Sequence, residues 1–158
     1  MEIEKKFLIR SLNDIPGGID TYNYHEMEQG YLNTAPVLRV RKEDDNYYFT
    51  YKGAGMLKRE EYNLPLNKES YEHVIQKADG IIISKRRYLI PLEGGLICEL
   101  DVFQKSYEGL LLAEVEFSSE EEANSFVPPA WFGKDVTFDP RYHNSNMSKE
   151  LISFTDPS

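Results

Sequence analysis

Apolar and polar residues alternate with a period of two over most of the chain, the pattern of strands with one covered face. Eight strands are predicted, at about 2–10, 24–32, 36–43, 46–53, 58–66, 81–92, 96–103 and 110–118. Turn chemistry separates several of them: Asn33-Thr34-Ala35-Pro36, Asp44-Asp45-Asn46, Gly53-Ala54-Gly55 and Glu93-Gly94-Gly95. Short loops make successive strands antiparallel neighbours. Three stretches read as helices: 68–78 behind Asn67 as N-cap, 119–126 behind Ser118 or Ser119, and 146–153 behind Asn144-Ser145. Each of those two serines has a glutamate three residues on, as in a capping box, and Pro128 stops the helix. Eight strands with few helices suggest a sandwich or a closed barrel.

Side chains two apart on a strand share a face. One face collects Glu2, Glu4 and Lys6; Arg39, Arg41 and Glu43; Tyr48, Thr50 and Lys52; Arg59 and Glu61; Lys85 and Arg87; Glu99 and Asp101; Glu114 and Glu116. The other collects Ile3 and Phe7, Leu38 and Val40, Cys98, Leu100 and Val102, and Ala113, Val115 and Phe117. The second strand is ambiguous, with Glu26 and Glu28 on one face and Met27, Gln29 and Tyr31 on the other. Any one of these charged faces, taken alone, reads as the solvated side of a sandwich. Taken together they set like charges side by side, Arg39 with Arg41 and Glu114 with Glu116, and like neighbours on a sheet repel. Adjacent carboxylates suit a divalent cation, and adjacent cationic groups suit phosphate oxygens.

Two architectures fit. An ordinary barrel fills its middle with the apolar face. An inverted barrel lines a wet tunnel with the charges and turns the apolar face outward. Uncompensated buried charge is tolerable only when the signs nearly balance. They do: seven acids (Glu2, Glu4, Glu61, Glu99, Asp101, Glu114, Glu116) stand against six bases (Lys6, Arg39, Arg41, Lys52, Lys85, Arg87).

Composition narrows the setting. The 158 residues, 41% hydrophobic and 13% aromatic, suit one domain over 1–158 with a sizeable core. No apolar run reaches the roughly 18–20 residues that span a bilayer. The N-terminal Met1-Glu2-Ile3-Glu4 lacks the basic-then-apolar order of a signal peptide. A cytoplasmic location is expected. Twenty-seven acids against 18 bases give a net charge of −9, which disfavours nucleic acid and anionic membrane as partners. The single cysteine, Cys98, excludes an internal disulfide and a Cys-based zinc site and reads as a packed, inert thiol. Gly53-Ala54-Gly55 lacks P-loop spacing and reads as a hairpin turn. His25, His73 and His143 have no metal-ligand spacing and read as surface or loop residues; Trp131 reads as loop packing, and Lys149 as exposed on the last helix.

Glu2-Ile3-Glu4-Lys5-Lys6-Phe7 matches a Glu-x-Glu-x-Lys signature. It is followed in order by Leu38-Arg39-Val40-Arg41, Tyr51-Lys52-Gly53, Lys85-Arg86-Arg87-Tyr88, Cys98-Glu99-Leu100-Asp101 and Ala113-Glu114-Val115-Glu116, and by a closing Asp139-Pro140-Arg141-Tyr142-His143-Asn144-Ser145. The chain thereby resembles the small bacterial branch of the CYTH superfamily, the triphosphate tunnel metalloenzymes. That resemblance implies an α+β, mainly β fold: an eight-stranded antiparallel closed barrel with a charged lumen and a few flanking helices. It implies Mg²⁺ or Mn²⁺ held by Glu2, Glu4, Glu114 and Glu116, with Glu61, Glu99 and Asp101 serving a second metal or orienting other side chains. Lys6, Arg39, Arg41, Lys52 and Arg87 would bind phosphate, and Arg141 would cap the tunnel. Lys85 would position or deprotonate the attacking water, or simply contact phosphate, and Glu61 is a second catalytic candidate. Asn63, following Glu61, departs from the run of alternating glutamates in many relatives and leaves the second metal open.

The implied activity is metal-dependent hydrolysis of a triphosphate, inorganic tripolyphosphate first. The alternatives are a class IV-type adenylyl cyclase, a nucleoside or thiamine triphosphatase, or a non-catalytic polyphosphate- or nucleotide-binding module. Outward apolar residues such as Tyr47, Phe49 and Tyr51 exceed what three short helices cover, so a homodimer is expected.

Overall fold

A computed structural model describes residues 1–154. Its strands are β1 (Glu2–Leu8), β2 (Tyr24–Thr34), β3 (Val37–Glu43), β4 (Asn46–Lys52), β5 (Lys58–Arg59), β6 (Glu61–Leu66), β7 (Asp79–Pro91), β8 (Ile97–Gln104) and β9 (Leu111–Glu116). They pair in the order β5-β1-β9-β8-β7-β2-β3-β4-β6, every pair antiparallel. The two end members are parted in sequence by Glu60 alone. Before that residue the chain pairs with β1 (Glu2↔Arg59, Ile3↔Lys58), and after it with β4 (Lys52↔Glu61, Tyr51↔Tyr62). One bent strand therefore closes the barrel. The nine strands are the predicted eight, with 58–66 interrupted at Glu60.

The helices are α1 (Lys68–Ile75), α2 (Glu120–Ser125) and α3 (Asn144–Lys149). Asn67 caps α1 by accepting from the Ser70 backbone N–H at 2.8 Å, and Ser70 Oγ accepts from the Asn67 N–H at 3.1 Å. Ser119 rather than Ser118 caps α2, while Glu122 accepts from the Ser118 N–H at 2.8 Å. α3 begins two residues before its predicted start and ends at Lys149, because Glu150 is extended.

The apolar face of β1, β7, β8 and β9 points outward. Ile3, Phe7, Tyr88, Ile90, Cys98, Leu100, Ala113, Val115 and Phe117 form a core there with Ile9, Ile15, Ala123 and Phe132. Trp131 packs edge-on against Phe132 with ring centroids 4.7 Å apart. Cys98 is fully buried in this layer, which pushes its thiol up in pKa and leaves it inert. The outer face of β4 and β6 is more open, with Tyr62 and Leu64 each 58% exposed. Among the described residues no helix is long and apolar enough to cross a membrane.

Inside the barrel, the positions that are charged near one end turn apolar near the other. Leu8 continues the face of Glu4 and Lys6, Ile83 that of Lys85, Phe103 that of Asp101, and Leu112 that of Glu114. These four are buried together with Tyr107, Val136, Tyr142 and Met147. The last three come from the C-terminal segment, which is laid across this end by backbone bonds from Leu8 N to Lys134 O and from Val136 N to Lys6 O, both 2.9 Å. Gly80, at φ +67°, lets β7 pass directly under the Ser148 carbonyl, where a side chain would collide. The bore is stoppered at that end and is open at the other.

Candidate functional site

The open part of the bore is a cavity of about 390 Å³ lined largely by ionisable side chains. Glu2 and Glu4 from β1, Glu114 and Glu116 from β9, and Glu99 from β8 form one wall. Arg39 and Arg41 from β3 and Lys52 from β4 face them, with Lys85 and Arg87 of β7 between. Strand alternation alone puts them there. The charge pattern is the inverted barrel of the sequence reading.

Part of this charge is internally compensated. Asp101, with no exposed surface, accepts from Arg87 Nε at 2.7 Å and Nη2 at 2.9 Å, and lies 2.7 Å from Lys85 Nζ. Arg87 Nη2 also reaches Glu114 at 2.9 Å, and Lys6 Nζ lies 3.2 Å from the other Glu114 oxygen. Burial opposes ionisation of both acids, but Arg87 with Lys85 or Lys6 outweighs it and holds Asp101 and Glu114 below the usual carboxylate range. At the mouth, Lys52 bridges Glu2 (3.0 Å) and Glu61 (3.2 Å), and Arg59 reaches Glu2 at 3.3 Å. Against the effect of burial, Lys52 brings the Glu61 carboxyl down to about 2.

The rest is compensated weakly or not at all. Burial, with Glu114 close by, lifts the Glu4 carboxyl to about 7, and its nearest cation, Lys6, is 3.8 Å away. Glu116 is raised by burial and by Glu2 and Glu99, and among the described residues no base pairs with it. Across the bore, Arg39 and Arg41 meet no acid among the described residues. Arg39 donates from Nη2 to Thr50 Oγ1 at 3.1 Å, and its buried Nε has no partner among the described residues. Arg41 Nε donates to Gln29 at 2.8 Å; burial and the neighbouring Arg39 and Arg87 lower its guanidinium to about 9. Lys85 is pulled down to about 7 by burial, against the attraction of Asp101.

The carboxylate oxygens fit a hard divalent cation: Glu4 is destabilised as an anion by burial and Glu114, Glu116 by burial, Glu2 and Glu99, and a cation relieves that. Among the described residues no three His, Cys, Asp or Glu side chains converge as a ready-made cage. Water and phosphate oxygens would therefore complete the coordination, as Mg²⁺ tolerates well.

Of the predicted site residues, Glu2, Glu4, Lys6, Arg39, Arg41, Lys52, Glu61, Lys85, Arg87, Glu99, Glu114 and Glu116 all line the cavity. Asp101 sits behind it, its oxygens engaged by Lys85 and Arg87. Arg141 is not among the residues that line the cavity; its guanidinium forks onto Asp139 two residues back, at 2.7–3.2 Å. His143, read as a surface or loop residue, is buried, with its ring toward the Thr137 carbonyl. His25 pairs with Asp44 at the surface, and Lys149 is exposed as expected. The sequence reading left out of the lumen Arg59, Gln29, Tyr31, Asn63, Asn144 and Ser145, all of which line it. Parity with Met27 signals Gln29 and Tyr31 once the outward face of β2 is known; nothing local signals Asn144.

A blind antiparallel barrel whose bore is lined by facing clusters of acids and bases defines a charged-tunnel protein. Residues 1–150 match the CYTH domain family, and the chain belongs to it. An inorganic triphosphatase of Nitrosomonas europaea is 38% identical over 153 residues, covering 95% of this chain and 98% of that protein. One from Acetivibrio thermocellus is 36% identical, covering 94% and 93%. A crystal structure of an inorganic triphosphatase superposes with TM-score 0.71 at 35% identity over 97% of both chains. A solved Hippeastrum protein, 17% identical over 78% of this chain and 83% of its own, shares the fold at TM-score 0.61.

Proposed function

We propose that this chain hydrolyses inorganic tripolyphosphate in its tunnel with a divalent cation, Mg²⁺ or Mn²⁺. The observation that carries the reading is the facing pair of under-compensated clusters, Arg39 with Arg41 and Glu4 with Glu116, where Glu4 has only Lys6 at 3.8 Å. Only a polyanion accompanied by cations satisfies both at once. The inorganic triphosphatases at 36–38% identity support it.

In this reading Arg39 and Arg41 grip phosphate oxygens, the Arg39 Nε gaining the partner it lacks. Lys6, Lys52 and Arg87 share themselves between their carboxylates and the phosphate chain. Glu4 and Glu116 would hold the cation, with Glu2 and Glu114 beside it but engaged by Lys52 and Arg59 and by Lys6 and Arg87. When bound, the cation neutralises charge on the phosphate chain and acidifies water. Lys85, brought down to about 7, takes the proton of the attacking water as the P–O bond breaks. Glu61, a carboxylate too acidic to hold a proton at neutral pH, keeps Lys52 in place. A second copy of the chain would cover Phe49, Tyr62 and Leu64 on the outer face; sedimentation showing only monomer at micromolar concentration removes that part.

Phosphate release from tripolyphosphate and ATP, with Mg²⁺, with Mn²⁺ and with chelator, tests the reading, run beside chromatography for cyclic AMP. Metal-dependent release from tripolyphosphate supports it. Cyclic AMP as the main product, or ligand-induced stabilisation without turnover, overturns it.

A further inference from the structure

We infer that Asn144 is a positioning residue: its side-chain oxygen fixes the Lys85 ammonium and, through Gln29, the Arg41 guanidinium. The inference rests on the triphosphatase reading above.

Asn144 Oδ1 accepts from Lys85 Nζ at 2.8 Å and from Gln29 Nε2 at 3.1 Å. Gln29, fully buried, accepts in turn from Arg41 Nε at 2.8 Å through its own oxygen. One atom of the C-terminal segment thus ties together a base from β7 and a base from β3. The amide cannot be turned round, because its NH₂ would then face two donors. As placed, Nδ2 points to Met147 Sδ at 3.8 Å. Its backbone is equally fixed: Asn144 opens α3, Met147 is buried in the stopper, and Gly80 seats the helix end against β7.

The consequence for Lys85 is directional. A lysine amine has two N–H donors and a lone pair; the ammonium has three donors. Asp101, at 2.7 Å, and Asn144, at 2.8 Å, occupy two directions around a nitrogen that also has the Phe103 ring 5.5 Å away, and the side chain lines the cavity, where a third direction is left for water. That third direction carries the lone pair or the proton used on water. With Asp101 alone as acceptor, the flexible stem would let the amine swing, and a misplacement of about 1 Å lowers turnover by about a hundredfold.

The test uses the full chain and steady-state phosphate release from tripolyphosphate with Mg²⁺, beside thermal melting. Absence of wild-type turnover would sink the functional reading itself and this inference with it. Given turnover, Asn144→Asp keeps an acceptor for Lys85 and is expected to hold kcat within about tenfold, whereas Asn144→Leu, similar in size and suited to the apolar stopper, is expected to lose about a hundredfold. A merely structural role predicts the reverse, since leucine packs beside Met147 better than a carboxylate does. Gln29→Ala is expected to raise KM about tenfold with kcat held, because Arg41 loses its guide. Leucine and aspartate variants falling alike, or a leucine variant at wild-type kcat, overturn the role at Lys85; an unchanged KM for Gln29→Ala overturns the Arg41 link. Should Asn144→Leu not fold, Asn144→Ala replaces it with the same outcomes.

Discussion

Glu4 and Glu116 stand directly opposite each other in the β1–β9 ladder, and both carboxylates line the bore. Each is raised above its ordinary pKa by burial and by neighbouring acids. Neutralising either removes repulsion along with a metal oxygen. Glu4→Gln and Glu116→Gln are each expected to lose metal-dependent turnover by about a hundredfold or more. In the absence of metal both should melt above wild type. A lower metal-free melting temperature would show that the surrounding acids do not strain Glu4 and Glu116.

Arg39 is buried, and among the described residues one of its guanidinium nitrogens is unpartnered and no acid forms an ion pair with it. An unsatisfied buried polar group costs about 1–3 kcal/mol. Arg39→Met should therefore raise the stability of the ligand-free protein by an amount of that order. The same variant should lose the thermal shift that tripolyphosphate gives the wild type. Denaturant titration with and without tripolyphosphate reads both effects.

Asp101 is the counter-charge for two buried cations, Lys85 and Arg87. Asp101→Asn keeps the shape and removes the charge. Breaking a buried pair from one side costs about 3–5 kcal/mol. Urea unfolding should report a loss of that size, and turnover should fall with it. A variant as stable as wild type would mean that Lys85 sheds its proton instead.

His143 is buried, and burial, with Lys6 nearby, lowers its imidazole from 6.5 to about 4. The folded state therefore keeps it neutral, while the unfolded state takes up a proton below its ordinary pKa. The stability so contributed is complete above pH 6.5 and drains away as pH falls toward 4. At about 1.4 kcal/mol per pKa unit, the loss is roughly 2–3 kcal/mol. Comparing urea midpoints at pH 7 and pH 4.5 should show a smaller drop for His143→Asn than for wild type.

The barrel and most of its charged lining are legible from alternation, because a period of two is enforced by the backbone and survives any tertiary context. Strand β2 is not legible alone: its face is decided by Glu28 bonding the Tyr71 hydroxyl at 2.8 Å and Glu26 pairing with Arg86 at 2.6 Å, both partners remote in sequence. The stopper escapes because Leu8, Ile83, Phe103 and Leu112 look like ordinary strand ends until the C-terminal segment covers them. Arg141 misleads for a local reason. Asp139 lies close enough to capture it, and a fork onto a carboxylate two residues away outcompetes a reach into the bore. Asn144 is invisible beforehand, since its partners lie 59 and 115 residues distant.

The apolar stopper makes the passage a cul-de-sac. Whatever arrives at Lys85 must back out past Glu99 and Glu116, so intake and discharge take turns at a single doorway.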